Sequence, residues 1–469
     1  MSGTEGSYPG RAPRRGRLEG LPFTGGVLAI CLFFALLLNS MPFWVSAGLV
    51  IGVAVFIICF VNVELSLHLL VFSMLLSPEF GVGGLGGGSS TTASRGITIR
   101  TEDLLLVVMG FAWLARMAVH KELGLVRDTA LNRPIALYTV GCFFATGMGL
   151  MAGHVSGVTG FFYVLKYIEY FVVYYMVANN VHSRSQIKRL VGAMLVTALV
   201  VSVTAMAQIP SGDRVSAPFE GEEGEPNTLG GYLILIGAVS GGILLRLRSG
   251  RPFYLLLGLA AVMFVPFLFT QSRGSYLALP FVYLSLMVIY PARRRAMALI
   301  MLGAVALGIG WMPESVRERI SYTFNQGYTQ QERLDVGGVQ LDTSTSERLR
   351  SWEHAFRDAA ASPLWGYGVT GYGFLDAQYP RVLVETGLLG CVLFFLLLRT
   401  VWKEGRRLLR ITNDPLYGGL AAGLLAGTVG LLVHGLGANT FIIVRIMEPF
   451  WLLVGLVVSA SHIVETEEP

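Results

Sequence analysis

Apolar runs long enough to cross a bilayer, about 17 to 25 residues, recur along almost the whole chain, separated by short polar connections. Such runs read as membrane-crossing helices, because a helix satisfies its own backbone groups where lipid offers no partner. They fall at 23–39, 43–61, 63–77, 103–119, 135–152, 161–179, 190–208, 228–245, 253–270, 275–290, 297–312, 382–401, 416–436 and 443–462. The runs at 63–77, 275–290 and 297–312 are short. The pattern therefore predicts an all-α polytopic membrane protein with twelve to fourteen transmembrane helices. It divides the chain into a tail (1–22), eleven spans (23–312), a long loop (313–381), three spans (382–462) and a second tail (463–469).

Composition agrees with the pattern. Hydrophobic residues make up 53% and charged residues 14%, against about 25% charged in a soluble globular protein. That excludes a soluble multidomain enzyme, a disordered chain and a nucleic-acid-binding role. The formal charge of +5 rests on 35 cations, only four of them Lys. Twenty-two of the cations lie in alternate connections and give that side, which includes both termini, a net +12, while the other side nets −7. Basic connections stay cytoplasmic, so both tails are expected in the cytoplasm and the loop outside. The basic N-terminus and the run after it lack a small-x-small cleavage site, which reads as a retained first helix rather than a signal peptide. Cys31, Cys59, Cys142 and Cys391 all fall in apolar runs, which argues against disulfides and thiolate metal sites. The seven His show no metal-ligand spacing.

Two outward segments carry candidate chemistry. The first, at 209–227, places Arg214 among five acids. In the second, 313–381, Ser344 and Glu347 form a capping-box pattern that starts a helix. The spacing gives that helix an apolar face of Leu349, Trp352, Phe356 and Ala359, with Arg350, His354 and Arg357 on another. It stops before Pro363. The following WGYGVTGYGF contains a G-x-G-x-x-G but neither a preceding strand nor a following helix, so a dinucleotide site is excluded. Its glycines serve either a tight turn or a close backbone approach. Within the span at 161–179, Lys166 and Glu169 share a helix face, as a mutual pair or as part of a lipid site. The aromatic residues around them read as packing, and Arg445 with Glu448 as a helix pair near the outer edge.

These residues resemble the O-antigen polymerase and O-antigen ligase superfamily of bacterial membrane glycosyltransferases. The resemblance rests on DTSTSERLRSWEHAFRDAAASPLWGYGVTGYGF, DAQYPRVLVETGLLG, RVSAPFEGEEGEPNTLGGYL, TQSRGSYLAL and LKYIEYFVVYY, dispersed between about residues 160 and 400. It implies a GT-C-like fold in the bacterial inner membrane with a periplasmic active site. The implied donor is a glycan on undecaprenyl pyrophosphate, transferred to an acceptor hydroxyl in polysaccharide or exopolysaccharide biosynthesis. No nucleotide sugar, metal or other cofactor is expected. The implied partners are that lipid-linked oligosaccharide, the bilayer, and a chain-length regulator and flippase of the same pathway, with no nucleic acid. Ligases of the superfamily carry His-Asn where this chain has Asp376-Ala377, so the resemblance points to the polymerase branch, with a ligase as the alternative. A flippase is the third reading, disfavoured because a transporter keeps its polar groups near the midplane and its loops short.

Pyrophosphate leaving from a sugar keeps its charge, and guanidinium groups neutralise phosphate oxygens while staying ionised. Arg214, Arg273, Arg348 and Arg381 are the outward cations at motif positions, and Arg273 sits alone between two spans. Arg273 and Arg348 are expected to be catalytic, together with Asp376 or Glu385 as the carboxylate that orients the acceptor hydroxyl. Glu385 has a second reading, as the partner that orients Arg381. Arg214, Arg381, Asn227, Tyr379, Lys166 and Glu169 are expected to contact substrate, Tyr379 either by stacking on sugar or by closing a loop.

Overall fold

The computed structural model describes residues 42–81, 98–119, 127–219, 224–311, 314–325, 334–336, 339–373 and 375–467. The predicted span at 23–39, and Cys31 within it, lie outside the described residues. The chain divides into two units, Met1–Ile57 and Ile58–Pro469. The first contributes most of helix α1 (Phe43–Val61), and the second holds all that follows.

Every predicted span within the described residues is a helix. They are α1, α2 (Val63–Leu76), α3 (Thr101–Val119), α4 (Asn132–Met151), α5 (Gly157–Asn180), α6 (Arg184–Met206), α7 (Pro226–Leu244), α8 (Arg251–Phe269), α9 (Arg273–Ile289) and α10 (Arg294–Trp311). After the loop helices α11 (Glu314–Asn325) and α12 (Thr343–Ala359) come α13 (Gln378–Ile411), α14 (Pro415–His434) and α15 (Val444–Glu467). Among the described residues, eight helices are long and apolar enough to cross a membrane, or nine if α9 and α10, bent by 108°, count as one span. Among the described residues, strand structure is limited to two short antiparallel ladders, β1 (Glu79–Gly81) with β2 (Thr98–Arg100) and β3 (Asp335–Val336) with β4 (Val339–Gln340). The protein is an all-α polytopic membrane protein.

Helix starts follow local sequence. Ser183 and Gln186 form a reciprocal capping box at α6, and Asp414 caps α14 ahead of Pro415. The core is α15, packed on α5, α7, α13 and α14, and every residue from Val444 to Ser461 is buried, as in a helix surrounded by others. Trp451 sits among Phe171, Tyr174 and Tyr170, with ring centroids 4.8, 5.9 and 6.4 Å away. The aromatic residues of α5 are thus packing groups, as the sequence suggests. Helices α7 and α14 meet through glycines: a Cβ on Gly419 or Gly423 would come within 2.6 Å of the Cα of Ile243 or Val239. Small residues at this spacing let helix backbones approach where lipid supplies no hydrophobic drive.

Candidate active site

The long loop folds back onto the start of α13. The Tyr367 and Gly368 amides donate to the carbonyls of Val384 and Glu385, and those of Leu388 and Leu389 to Pro363 and Leu364. Both sides of this docking need glycine. Gly387, inside α13, has φ 66° and ψ −170°, and Gly366 has φ 69°. A Cβ on Gly366 would lie 2.6 Å from the Val384 carbonyl oxygen, and one on Gly387 would overlap the Leu364 carbonyl. The glycine-rich motif is therefore a backbone-to-backbone joint, which settles the choice between turn and close approach.

The joint sets the orientation of α12. A small core of Ala355, Leu375 and Val384, with Tyr367 and Tyr372 against it, ties α12 to α13. The inward stripe is Arg348, Trp352, Ala355 and Ala359. The expected apolar face is thus rotated, and Leu349 and Phe356 stay exposed at 37% and 50%. Ala355 there packs with Leu375 and Val384. The helix start also differs from the capping-box expectation. The N-cap is Asp342 rather than Ser344, and its carboxylate pairs with Arg273 at 2.8 Å. Arg273 also donates to Thr345 Oγ1 at 3.2 Å. Burial pushes the Asp342 carboxyl up, but the Thr345 hydroxyl and the Arg273 guanidinium outweigh it and hold the group below the usual carboxylate range.

Arg348 Nη2 donates to Asp376 Oδ2 at 2.6 Å. The pair lines a cavity of about 220 Å³ with Ser344, Glu347, Ser351 and Trp352. Asp376 is braced on both sides. Asn439 Nδ2 donates to the Leu375 carbonyl at 2.6 Å, and Gln378 Oε1 accepts from the Phe441 amide at 2.9 Å. Glu225 faces this pair. The residue is exposed as a whole, but desolvation of its carboxyl, and then the charge of Asp376, push that group up, while Asn227, Arg214 and Arg348 pull the other way. Asn227 donates to Glu225 Oε1 at 3.4 Å and accepts from Ser272 Oγ at 2.8 Å. Arg214 donates to the carbonyls of Thr270 at 3.0 Å and Gln271 at 3.4 Å. The non-glycine residues with left-handed backbone among the described residues are Phe219, Gln271 and Thr370. All three lie in segments that build this site, where such strain is characteristically stored.

Arg214, Asn227, Arg348 and Asp376 are thus brought together, with Arg273 alongside through α12. The other five predicted residues are placed elsewhere. Arg381 and Glu385 form a buried pair, the Arg381 Nε 3.2 Å from each carboxylate oxygen. Tyr379 donates to the Leu432 carbonyl and stacks on Phe395. Lys166 pairs with Glu169 at 3.3 Å and also with Asp103. The Arg445–Glu448 helix pair does not form as expected. Arg445, fully buried, donates to the carbonyls of Pro218 (2.6 Å), Ser77 (3.1 Å) and Phe219 (3.3 Å). Both Glu448 carboxylate oxygens lack a hydrogen-bond partner among the described residues. The backbone of 218–219 comes within reach of Arg445 first, and a multiply accepted guanidinium is the better-satisfied state. His354 is exposed on α12. Sequence reasoning missed Glu225, Asn439 and Gln378 as site residues. Glu225 was hidden in a run of acids, and the other two act through loops distant in sequence. Among the described residues, no group of acids, His or Cys has the geometry to hold a metal ion.

A family model described as O-antigen ligase matches residues 258–395. The match supports the O-antigen polymerase and ligase superfamily. Members of that superfamily are glycosyltransferase-like enzymes. The matched segment runs from α8 to the middle of α13 and contains Arg273, Arg348, Asp376, Arg381 and Glu385. Arg214, Glu225 and Asn227 lie upstream of it, and Glu225 is within electrostatic reach of Arg214, Arg348 and Asp376. No curated protein matches the chain.

Proposed function

We propose that this chain is a polysaccharide polymerase that transfers a glycan from undecaprenyl pyrophosphate to a hydroxyl of another lipid-linked repeat unit at the periplasmic face. The observation that carries the reading is the cavity at Arg348 and Asp376, which puts a guanidinium and a carboxylate on the same opening. In the proposed reaction the acceptor oxygen bonds to the anomeric carbon as the bond from that carbon to the pyrophosphate oxygen breaks. The departing pyrophosphate takes the electron pair, and Arg348 and Arg214 neutralise its charge. Asp376 orients the acceptor hydroxyl and accepts its proton. Glu225, whose carboxyl is pushed up, holds a proton more readily than an ordinary carboxylate and hydrogen-bonds the donor sugar or its phosphate. Arg273 positions α12.

A ligase is the second reading, favoured by the family description matched at residues 258–395. Purified protein incubated with lipid-linked repeat units, with products resolved by length, separates the readings. A ladder supports the polymerase. Transfer that appears only when a lipid or protein acceptor is supplied supports the ligase. If neither product forms in vesicles where the protein moves lipid-linked oligosaccharide across the bilayer, both readings are overturned in favour of transport.

A further inference from the structure

Helix α13 continues past the apolar part of the bundle and ends away from the candidate site. We propose that this end carries a binding face for anionic phospholipid headgroups, formed by Arg399, Lys403, Arg406 and Arg410. Their spacing of four, three and four residues places all four within about 60° of one another on the helix surface, at 100° per residue. All four are exposed. None has an acid within ion-pair distance among the described residues. Their neighbour Arg407, on the next face, behaves differently. It is paired with Glu404 at 3.6 Å and with Glu465 at 2.6 Å. A cavity of about 390 Å³ is lined by Trp402, Lys403, Arg406, Arg407, Arg410 and Ile411, with Glu404, the partner of Arg407, as its one acid.

Three features point to lipid as the occupant. The basic face continues an apolar one on the same side of the helix: Leu388, Val392 and Phe395 precede Arg399 at the same spacing and are exposed at 57%, 56% and 49%. On a helix long and apolar enough to cross a membrane, such a face meets acyl chains, so the next turns meet headgroups. The length fits as well. Eleven residues separate Arg399 from Arg410, a rise of about 16 Å, which exceeds the roughly 5 to 8 Å of one headgroup layer. The stripe thus runs through the phosphates and beyond them. Finally, Trp402 lines the cavity, and tryptophan is enriched at this depth because its ring is apolar and its N–H polar.

Orientation of the chain does not account for the arrangement. Topology responds to how many cations a connection holds, not to their sharing one helix face without partners. An acidic protein surface would also complement the charge, but it would not require the basic stripe to extend a lipid-facing one.

The test uses the full-length protein in nanodiscs of phosphatidylcholine mixed with phosphatidylglycerol or cardiolipin. Lipids retained on the protein are counted by native mass spectrometry. R399Q/K403Q/R406Q/R410Q is compared with K188Q/R248Q/R251Q/R295Q, which removes the same number of exposed cations elsewhere. Wild type and the second variant are expected to retain anionic lipid over phosphatidylcholine, and the first to lose that preference by about tenfold or more. Equal losses in the two variants, or no preference in wild type, overturn the proposal. Should the fourfold variant fail to insert, R406Q/R410Q is read in its place. A loss of about threefold supports the proposal there, and an unchanged preference overturns it. The readout is lipid retention, so it stands whether the reaction proves to be polymerisation or ligation.

Discussion

Replacing Arg348 by Gln removes a charge from the cavity while keeping a polar side chain of similar length, and its effect can be divided into two parts. One part is the interaction with Asp376. The two side chains are 31% and 25% exposed and meet at 2.6 Å. Unit charges about 4 Å apart interact by roughly 1 kcal/mol in water and roughly 4 kcal/mol at an effective dielectric of 20. At this exposure solvent screening keeps the coupling near the lower end, about 1 to 2 kcal/mol. The other part is the developing charge of the leaving group. Loss of one preorganised donor to such a charge slows turnover by about 10²- to 10³-fold. The assay is a double-mutant cycle of R348Q, D376N and the double variant, read both as thermal stability and as kcat/KM for lipid-linked repeat units. If Arg348 acts on the substrate, the double variant stays at least as slow as R348Q while its stability returns toward wild type. Recovery of transfer in the double variant would show that Arg348 serves only to neutralise Asp376. A rate for R348Q within threefold of wild type would remove Arg348 from the mechanism.

Three other perturbations test the frame around the cavity. Arg381→Met leaves Glu385 buried without its partner and is expected to cost about 3 to 5 kcal/mol, whereas R381M/E385M is expected to recover most of it; equal thermal midpoints for R381M and wild type in detergent would contradict the pairing. Gly387→Ala forces a side chain into a backbone conformation that essentially only glycine adopts, at a cost of about 1 to 3 kcal/mol before the overlap with Leu364 is counted. Faster proteolysis of the loop at 362–376 is the expected readout, and unchanged protection would break the argument for the joint. Glu225 binds its proton more tightly in the folded protein than at the ordinary value of 4.5. Its contribution to stability therefore falls as pH rises from that value through the higher folded one. E225Q is expected to match wild type at the acid end of this window and to be the more stable above it, and parallel stability curves for the two proteins would refute the shift.

The helices were legible in the sequence because lipid imposes one rule on backbone and composition alike. Long apolar runs must be helices, and every run within the described residues is one. Span number was less legible. Composition does not tell a bent pair from two crossings, and α9 and α10 are bent at Pro291 by 108°. The candidate site was legible as far as the sequence singles out Arg348 and Asp376, which the structure pairs. It was hidden where tertiary contacts decide. Arg273, isolated in the sequence, is engaged by Asp342, which precedes a helix some seventy residues later. Helix periodicity gave α12 a face but not its rotation, which goes with the packing of Ala355 against Leu375 and Val384. Arg381 and Glu385 are four residues apart on α13, and their alternative reading as a pair is what packing selected.

Two arginines of this end fix the backbone segments that carry the candidate site residues. Arg445 and Arg273 act as fasteners. Arg445 binds the carbonyls on both sides of the Pro218–Phe219 bond, and Phe219 holds a left-handed φ of 63°. Such a conformation persists only where its surroundings over-determine it, and two bonds from one rigid guanidinium do so. That fixes the segment carrying Arg214 and Glu225. Arg273 does the same for α12, through the N-cap Asp342, and so fixes Arg348. The fasteners carry charge, and burying it requires acids nearby. Glu102 is buried beside Ser77 and Arg100, and Glu448 is buried one helical turn from Arg445. An acidic end of the protein is therefore what a site built from fastened arginines requires.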